Sequence, residues 1–103
     1  MKVGYLITGR LKSTRLPRKL LLNVKGKSIL SHMIDRLKLA KNVDEIVICT
    51  SVNKQDKPLG SLAKENNINC FFGDPDDVLV RLLGAADEFN LDYILNITAD
   101  RSE

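Results

Sequence analysis

The chain of 103 residues has no tryptophan, five aromatic residues in all and two cysteines. So few aromatic side chains disfavour a surface that stacks the bases of single-stranded nucleic acid. No stretch approaches the roughly 20 consecutive apolar residues that a membrane-spanning helix needs. The apolar run at the N-terminus ends at Thr8 and is too short for the hydrophobic region of a signal peptide. We therefore expect a cytoplasmic protein that binds neither nucleic acid nor membrane.

The cysteines also argue against a metal centre or a disulfide framework. Cys49 and Cys70 each lie in an apolar, strand-like run, and no other cysteine or histidine stands near them at metal-ligand spacing. They are expected to be buried free thiols. A chain of this length fits one domain, which should bury roughly two-thirds of the surface that the unfolded chain exposes.

Acidic residues are absent from the first third of the chain. Residues 1–34 carry eight lysines and arginines and no aspartate or glutamate, so their charge is +8, whereas residues 35–103 carry −5. An uneven field of this kind attracts an anion to one end of a molecule. Chance clustering on a solvated surface accounts for some of these lysines, but Arg10, Arg15 and Lys19 fall together in one loop.

Strands and helices alternate in the hydrophobic pattern. Short apolar runs rich in β-forming residues predict four strands, at residues 3–8, 45–50, 69–72 and 93–98. Three helices are predicted between them: from the cap Ser28 to near Lys41, from Asp56 and Pro58 to about Glu65, and after the cap Asp76 with Val78, Leu79, Leu82, Leu83, Ala86 and Phe89 on one face.

This alternation predicts an α/β fold, with a parallel sheet and helices on both faces. The expected strand order is 3-2-1-4, half of a doubly wound fold. Ligands then bind where the first and fourth strands end.

The loop after the first strand has the composition of a phosphate site. The dinucleotide-binding motif G-x-G-x-x-G is absent, because Gly9 is the only one of its glycines present. A Walker A loop is excluded as well, because Leu21 stands where that motif needs a glycine before Gly26-Lys27-Ser28. Gly9 allows close backbone approach. The donors are the hydroxyls of Ser13 and Thr14 and the cations Arg10, Arg15 and Lys19. Charge-assisted bonds of about 1.5 to 3 kcal/mol each suit a nucleoside triphosphate.

Residues 8–22 resemble the A-R-x-x-S-T-R-L-P-x-K loop of the sugar cytidylyltransferases. The similarity is greatest to the branch with 3-deoxy-manno-octulosonate cytidylyltransferase, acylneuraminate cytidylyltransferase and spore coat polysaccharide biosynthesis protein F. It continues through residues 26–30, 44–47, 50–51, 73–81 and 97–100. The resemblance implies a Rossmann-like fold of the nucleotide-diphospho-sugar transferase (GT-A) type.

The resemblance also implies a reaction and a site. CMP would pass from CTP to an acidic sugar for surface polysaccharide biosynthesis, with Mg²⁺. The implied nucleotide-binding residues are Thr8, Gly9, Arg10, Ser13, Thr14, Arg15, Lys19, Thr50, Ser51 and Arg81; Arg10 and Lys19 are also catalytic, and Asp100 binds the metal. Thr50 and Ser51 would lie near the base.

Several of these residues could instead have a role unrelated to ligand binding. Arg10 and Arg15 could be solvated loop residues, and Asp100 a surface carboxylate. His32 is expected to be structural. The aspartates at positions 74, 76 and 77 are expected to cap the third helix rather than to bind metal.

The chain departs from the family pattern after Asp100, where the family continues to a proline and to the half that forms the sugar pocket. We therefore expect residues 1–103 to be the CTP-binding half of a cytidylyltransferase domain, truncated at the C-terminus. The main alternative is a non-catalytic nucleotide-binding or scaffolding domain derived from such an enzyme, and a nucleic-acid binder is weaker still. An exposed fourth strand predicts a homodimer or association through the sheet edge.

Overall fold

The computed structural model describes residues 1–8, 23–40, 42–53, 57–74 and 76–98, and these form an α/β fold. The elements in chain order are β1 (Val3–Thr8), β2 (Asn23–Val24), β3 (Lys27–Ser28), α1 (Ile29–Leu37), β4 (Glu45–Ser51), α2 (Lys57–Glu65), β5 (Asn69–Gly73), α3 (Val78–Glu88) and β6 (Tyr93–Thr98). None of the helices in these ranges is both long enough and apolar enough to cross a membrane.

The main sheet has the order β5-β4-β1-β6, and all its strands run parallel. This order confirms the predicted 3-2-1-4 arrangement. Strands β2 and β3 form a separate antiparallel hairpin. Its two turn residues, Lys25 and Gly26, have φ values of 52° and 88°. Positive φ at both positions matches the right-handed twist of the flanking strands, which lets two residues close the hairpin.

Two apolar clusters cover the two faces of the sheet, since successive residues of a strand point to opposite sides. Ile7 of β1 and Ile48 of β4 pack on one side against α1 and α2. Leu6 of β1 and the β4 residues Val47 and Cys49 pack on the other side against α3. The cores are thus set by alternation along the two central strands.

Helix α1 begins as the sequence predicts and ends earlier. The Ser28 side chain caps it by accepting a hydrogen bond from the Ser31 amide at 3.0 Å. The helix ends at Leu37 instead of near Lys41. The reason is that the amides of Leu39 and Ala40 bond to the carbonyls three residues earlier, which tightens the chain out of the α-helical path.

The start of helix α3 differs from the prediction by one residue. Its cap is Asp77, whose carboxylate accepts from the Val80 amide at 3.1 Å, and not Asp76. Asp74 accepts from the amides of both Asp76 and Asp77, at 2.8 and 2.9 Å. This turn brings the chain to Asp77 before the helix begins. Capping is therefore confirmed for Asp77, whereas Asp74 stabilises the turn that precedes the helix.

The face that α3 turns to the sheet also differs from the prediction. Arg81, Leu82 and Ala85 are buried, whereas Leu79 is 63% and Leu83 59% exposed. The first turns of this helix are apolar nearly all round, so the sequence pattern permits more than one orientation. The sheet selects the one that packs Leu82 and Ala85 against it.

Two aspartates hold the start of β1 at the amino edge of the sheet. Asp44, just before β4, accepts from the Val3 amide and donates its own amide to the Val3 carbonyl, both at 2.8 Å. Asp92, just before β6, forms the same pair of bonds with Lys2, also at 2.8 Å. Strand β1 is therefore fixed to both neighbours before its first ladder bond.

Candidate functional site

Polar side chains gather at the carboxyl edge of the sheet, on the side that α3 covers. Thr8 of β1 pairs in register with Cys49 and Thr98, so β1 ends between β4 and β6. Because residues two apart share a face, Thr8 lies on the same face as Leu6, and Ser51 on the same face as Cys49. This places Thr8 and Ser51 on the side of helix α3.

Arg81 of α3 lies against the same edge and is 4% exposed. Its Nε and Nη1 atoms are buried and find no hydrogen-bond partner among the described residues. The stem packs closely on the end of β5, where a Cβ on Gly73 would lie 3.0 Å from the Arg81 Cγ and 2.7 Å from the Phe71 ring. Glycine at position 73 therefore makes room for the arginine. A buried guanidinium with unused donors is costly unless an acceptor binds to it.

Two neighbouring groups respond to the charge of Arg81. Burial raises the pKa of the Cys49 thiol to about 11, and the guanidinium opposes that rise. The pKa of Asp74 is lowered, chiefly by the hydrogen bonds from the amides of Asp76 and Asp77 and in smaller part by Arg81. The positive charge of Arg81 thus acts on both groups, and its buried donors favour a ligand with exposed acceptors.

Thr8 joins the ends of β1 and β6 through its hydroxyl. The Oγ1 atom lies 3.1 Å from the Asn96 Oδ1 and 3.3 Å from the Ile97 carbonyl oxygen. Sequence reasoning assigned Thr8 to the nucleotide site and gave Asn96 no role. A single amide side chain between Leu95 and Ile97 in an otherwise apolar strand is the signal that could have found it.

Thr50 and Ser51 point to opposite faces of the sheet. Ser51 lies on the α3 face, and its Oγ accepts from the Asn53 amide at 3.1 Å. Thr50 follows Ile48 on the face of α1 and α2, and its buried hydroxyl has no partner among the described residues. The structure thus places Thr8, Ser51 and Arg81 on the same face of the sheet and Thr50 on the opposite face.

The remaining predicted site residues lie outside the described residues: Gly9, Arg10, Ser13, Thr14, Arg15, Lys19 and Asp100. Their roles stay predictions. The two segments that carry them leave the sheet from β1 and β6, which are adjacent strands. Within the described ranges no group of three or more His, Cys, Asp or Glu side chains could hold a metal ion.

His32 has the structural role expected of it. Its Nε2 donates to the Val24 carbonyl at 2.7 Å, which ties helix α1 to the β2–β3 hairpin. An ion pair between Lys27 and Asp35 joins the same two elements and lowers the pKa of Asp35. The hairpin directly after the cationic loop is thus held to the core of the fold.

Known proteins resemble the chain over nearly its whole length. A family model described as cytidylyltransferase matches residues 5–102. An uncharacterised protein of Methanocaldococcus jannaschii is 35% identical over 97% of this chain. An 8-amino-3,8-dideoxy-manno-octulosonate cytidylyltransferase of Shewanella pealeana is 30% identical over 98% of it.

Two solved structures share the fold. The structure of a cytidylyltransferase from Leptospira borgpetersenii superposes with a TM-score of 0.90 at 39% identity over 97% of this chain. The structure of a CMP:2-keto-3-deoxy-manno-octonic acid synthetase complexed with CTP gives 0.80 at 23% identity over 98%. The chain spans 41 to 42% of the length of each of these four proteins.

Proposed function

The chain belongs to the cytidylyltransferase family, and from this premise we propose that it forms the nucleotide-binding half of a nucleotidyltransferase that transfers CMP from CTP to an acidic sugar. The product would serve surface polysaccharide biosynthesis in the cytoplasm. The observation that carries the proposal is the buried guanidinium of Arg81 at the carboxyl edge of the sheet, whose Nε and Nη1 have no hydrogen-bond partner among the described residues. In parallel α/β sheets this edge is where ligands bind.

Cytosine can supply the hydrogen-bond acceptors that the buried N–H groups of Arg81 lack among the described residues. Its O2 and N3 atoms are acceptors on one edge of the ring, and a buried guanidinium with unused N–H groups can donate to them. Ser51 ends the neighbouring strand on the same face. The base is therefore proposed to lie over the ends of β4 and β5, next to Arg81.

The triphosphate is proposed to lie over the ends of β1 and β6. Strands in a sheet are about 4.8 Å apart, so β5 and β6, three spacings apart, are separated by about 14 Å. This span is comparable with an extended nucleoside triphosphate. Arg10, Ser13, Thr14, Arg15 and Lys19 follow β1 in the sequence and supply the hydroxyls and cations for the phosphates.

The proposed metal is Mg²⁺, held by Asp100. This residue comes two positions after the end of β6, and β6 ends beside Thr8. A carboxylate together with phosphate oxygens is a set of hard oxygen donors, which Mg²⁺ prefers, so the residue type fits the ion. When bound, the metal neutralises phosphate charge.

The proposed reaction is attack by a sugar hydroxyl on the α-phosphorus of CTP. The new P–O bond forms to the sugar oxygen, the bond to the β-phosphate bridging oxygen breaks, and pyrophosphate leaves. Arg10 and Lys19 stabilise the negative charge that develops on the phosphates during this step. The hydroxyl proton passes to solvent or to a base in the sugar-binding half of the enzyme.

Calorimetry with the chain tests the nucleotide assignment. Wild type should bind CTP in the presence of Mg²⁺ more tightly than ATP, and Arg15→Ala should weaken CTP binding about 10- to 150-fold, as loss of one charge-assisted bond predicts. Arg36→Ala, an exposed arginine in the last turn of α1, is the matched control and should bind like wild type. Equal affinity for CTP and ATP would contradict the cytidine assignment.

Pyrophosphate release with CTP and an acidic sugar tests the transfer step. Release above the rate without sugar supports a catalytic protein. CTP binding without any release would support the alternative of a non-catalytic nucleotide-binding domain.

A further inference from the structure

The side chain of Asn96 contacts Thr8 through its amide oxygen, and its amide nitrogen has no hydrogen-bond partner among the described residues. Its Oδ1 faces the Thr8 Oγ1 at 3.1 Å, and the residue itself is exposed at the carboxyl end of β6. The Thr8 hydroxyl carries one proton, which serves either Oδ1 or the Ile97 carbonyl at 3.3 Å. Contact through Oδ1 turns the Nδ2 amide group away from Thr8.

Asn96 also belongs to the polar face of the candidate site. It follows Ile94, which packs on the α3 side, so Asn96 shares that side with Thr8, Ser51 and Arg81. Its Cα pairs in register with Leu6, two residues before β1 ends. An exposed amide donor therefore lies at the crevice between β1 and β6, where the strand order reverses.

We propose that Asn96 is a ligand-binding residue whose Nδ2 donates to a phosphate oxygen of the nucleotide, and that Thr8 is the positioning residue that sets the direction of this amide. The proposal rests on the proposed function, because it takes a nucleoside triphosphate as the ligand. The chemistry favours an anion over a cation: the Oδ1 that could bind a metal faces Thr8, and what remains are two N–H donors.

The substitution Asn96→Asp tests the donor directly. It keeps an oxygen that accepts from Thr8 and removes both N–H groups, and it adds a negative charge beside the phosphates. The affinity for CTP measured by calorimetry should fall about 10-fold or more, with the unfolding midpoint unchanged or raised. Asn42→Asp is the matched control, since it makes the same change at an exposed position before β4, at the opposite edge of the sheet. This control should bind CTP like wild type.

A measurement on the unmodified chain covers the case in which Asn96→Asp fails to fold. With ¹⁵N-labelled asparagine, CTP should shift the side-chain amide resonances of Asn96 and leave those of Asn42 in place. In Thr8→Val, which removes the positioning hydroxyl, the shift should be smaller and CTP affinity lower.

The two proposals fail differently in this experiment. Wild type that binds no CTP refutes the proposed function. Wild type that binds CTP while Asn96→Asp binds equally well, or while the Asn96 amide resonances stay in place, overturns the role of Asn96 and leaves the function standing.

Discussion

Replacing Arg81 with methionine should stabilise the unliganded chain and abolish its binding of CTP. Two N–H groups of the buried guanidinium lack partners among the described residues, and an unsatisfied buried polar group costs about 1–3 kcal/mol. Methionine keeps an apolar stem to pack against Gly73, where the Arg81 Cγ now lies. Removing the charge therefore relieves the cost without opening a large cavity. For a domain of this size, each kcal/mol raises the melting temperature by about 4–8 °C.

Urea denaturation with and without CTP measures both effects in one assay. Without ligand, Arg81→Met should have the larger free energy of unfolding by about 1–3 kcal/mol. At a CTP concentration 100 times the Kd, wild type should gain about 2.7 kcal/mol and the variant should gain nothing. The gap between the two proteins should therefore close or reverse when CTP is added.

Arg36→Met is the control for the loss of a positive charge. Arg36 is exposed in the last turn of α1, so its removal should cost no more than about 1 kcal/mol and should leave the response to CTP intact. If Arg81→Met is less stable than wild type in the absence of CTP, the guanidinium contributes to the unliganded fold, and the reasoning is refuted.

Three further predictions concern the fold. Ser28→Ala removes the cap of α1 and should lower the free energy of unfolding by about 0.5–2 kcal/mol in urea, whereas Ser28→Asp should restore it. Cys49 is buried, as expected, whereas Cys70 is only half-buried. Loss of solvation raises the pKa of Cys49 to about 11 and of Cys70 to about 12, so stability should be constant below pH 9 and fall as the pH rises from 9 towards 11 and 12; unchanged stability through this window would contradict this effect. Tyr93 and Leu95 are 58% and 47% exposed on the edge strand β6, so the chain should self-associate in sedimentation, and lysine at both positions should reduce this; a wild-type monomer at high concentration would count against it.

The order of the sheet could be predicted because each strand is a short apolar run and each crossover is a helix. An apolar run as short as residues 3–8 predicts a strand rather than a helix. The right-handed crossover rule then leaves few ways to arrange four parallel strands. The Ser28 cap was equally predictable, since a serine stands directly before a periodic apolar segment.

The start and facing of α3 could not be predicted with the same certainty. Three aspartates precede the helix, and the choice of Asp77 as cap depends on Asp74 binding the two amides that follow. The apolar residues of the first turns cover most of the helix surface, so the buried side depends on contacts with the sheet. The local pattern contains neither piece of information.

The strand order predicts that a ligand binds at the carboxyl edge of the sheet, but it does not predict which side chains face that edge. The alternation of a strand separates Thr50 from Ser51, although the two are adjacent in sequence and were assigned together. The buried state of Arg81 depends on the absence of a side chain at Gly73, which lies eight positions earlier. The amide of Asn96 stands out in an apolar strand, but its contact with Thr8 joins residues 88 positions apart and is not visible in the sequence.

The reciprocal bonds of Asp44 and Asp92 have a consequence at the far end of β1. An extended strand resists compression along its axis, so an anchor on residues 2 and 3 also determines where residue 8 stops. A register shift of one residue would exchange the two faces of β1. The Thr8 hydroxyl would then lie on the face of α1 and α2 instead of the face of α3. These two carboxylates at the amino edge of the sheet therefore help to set the position of Thr8 at the carboxyl edge.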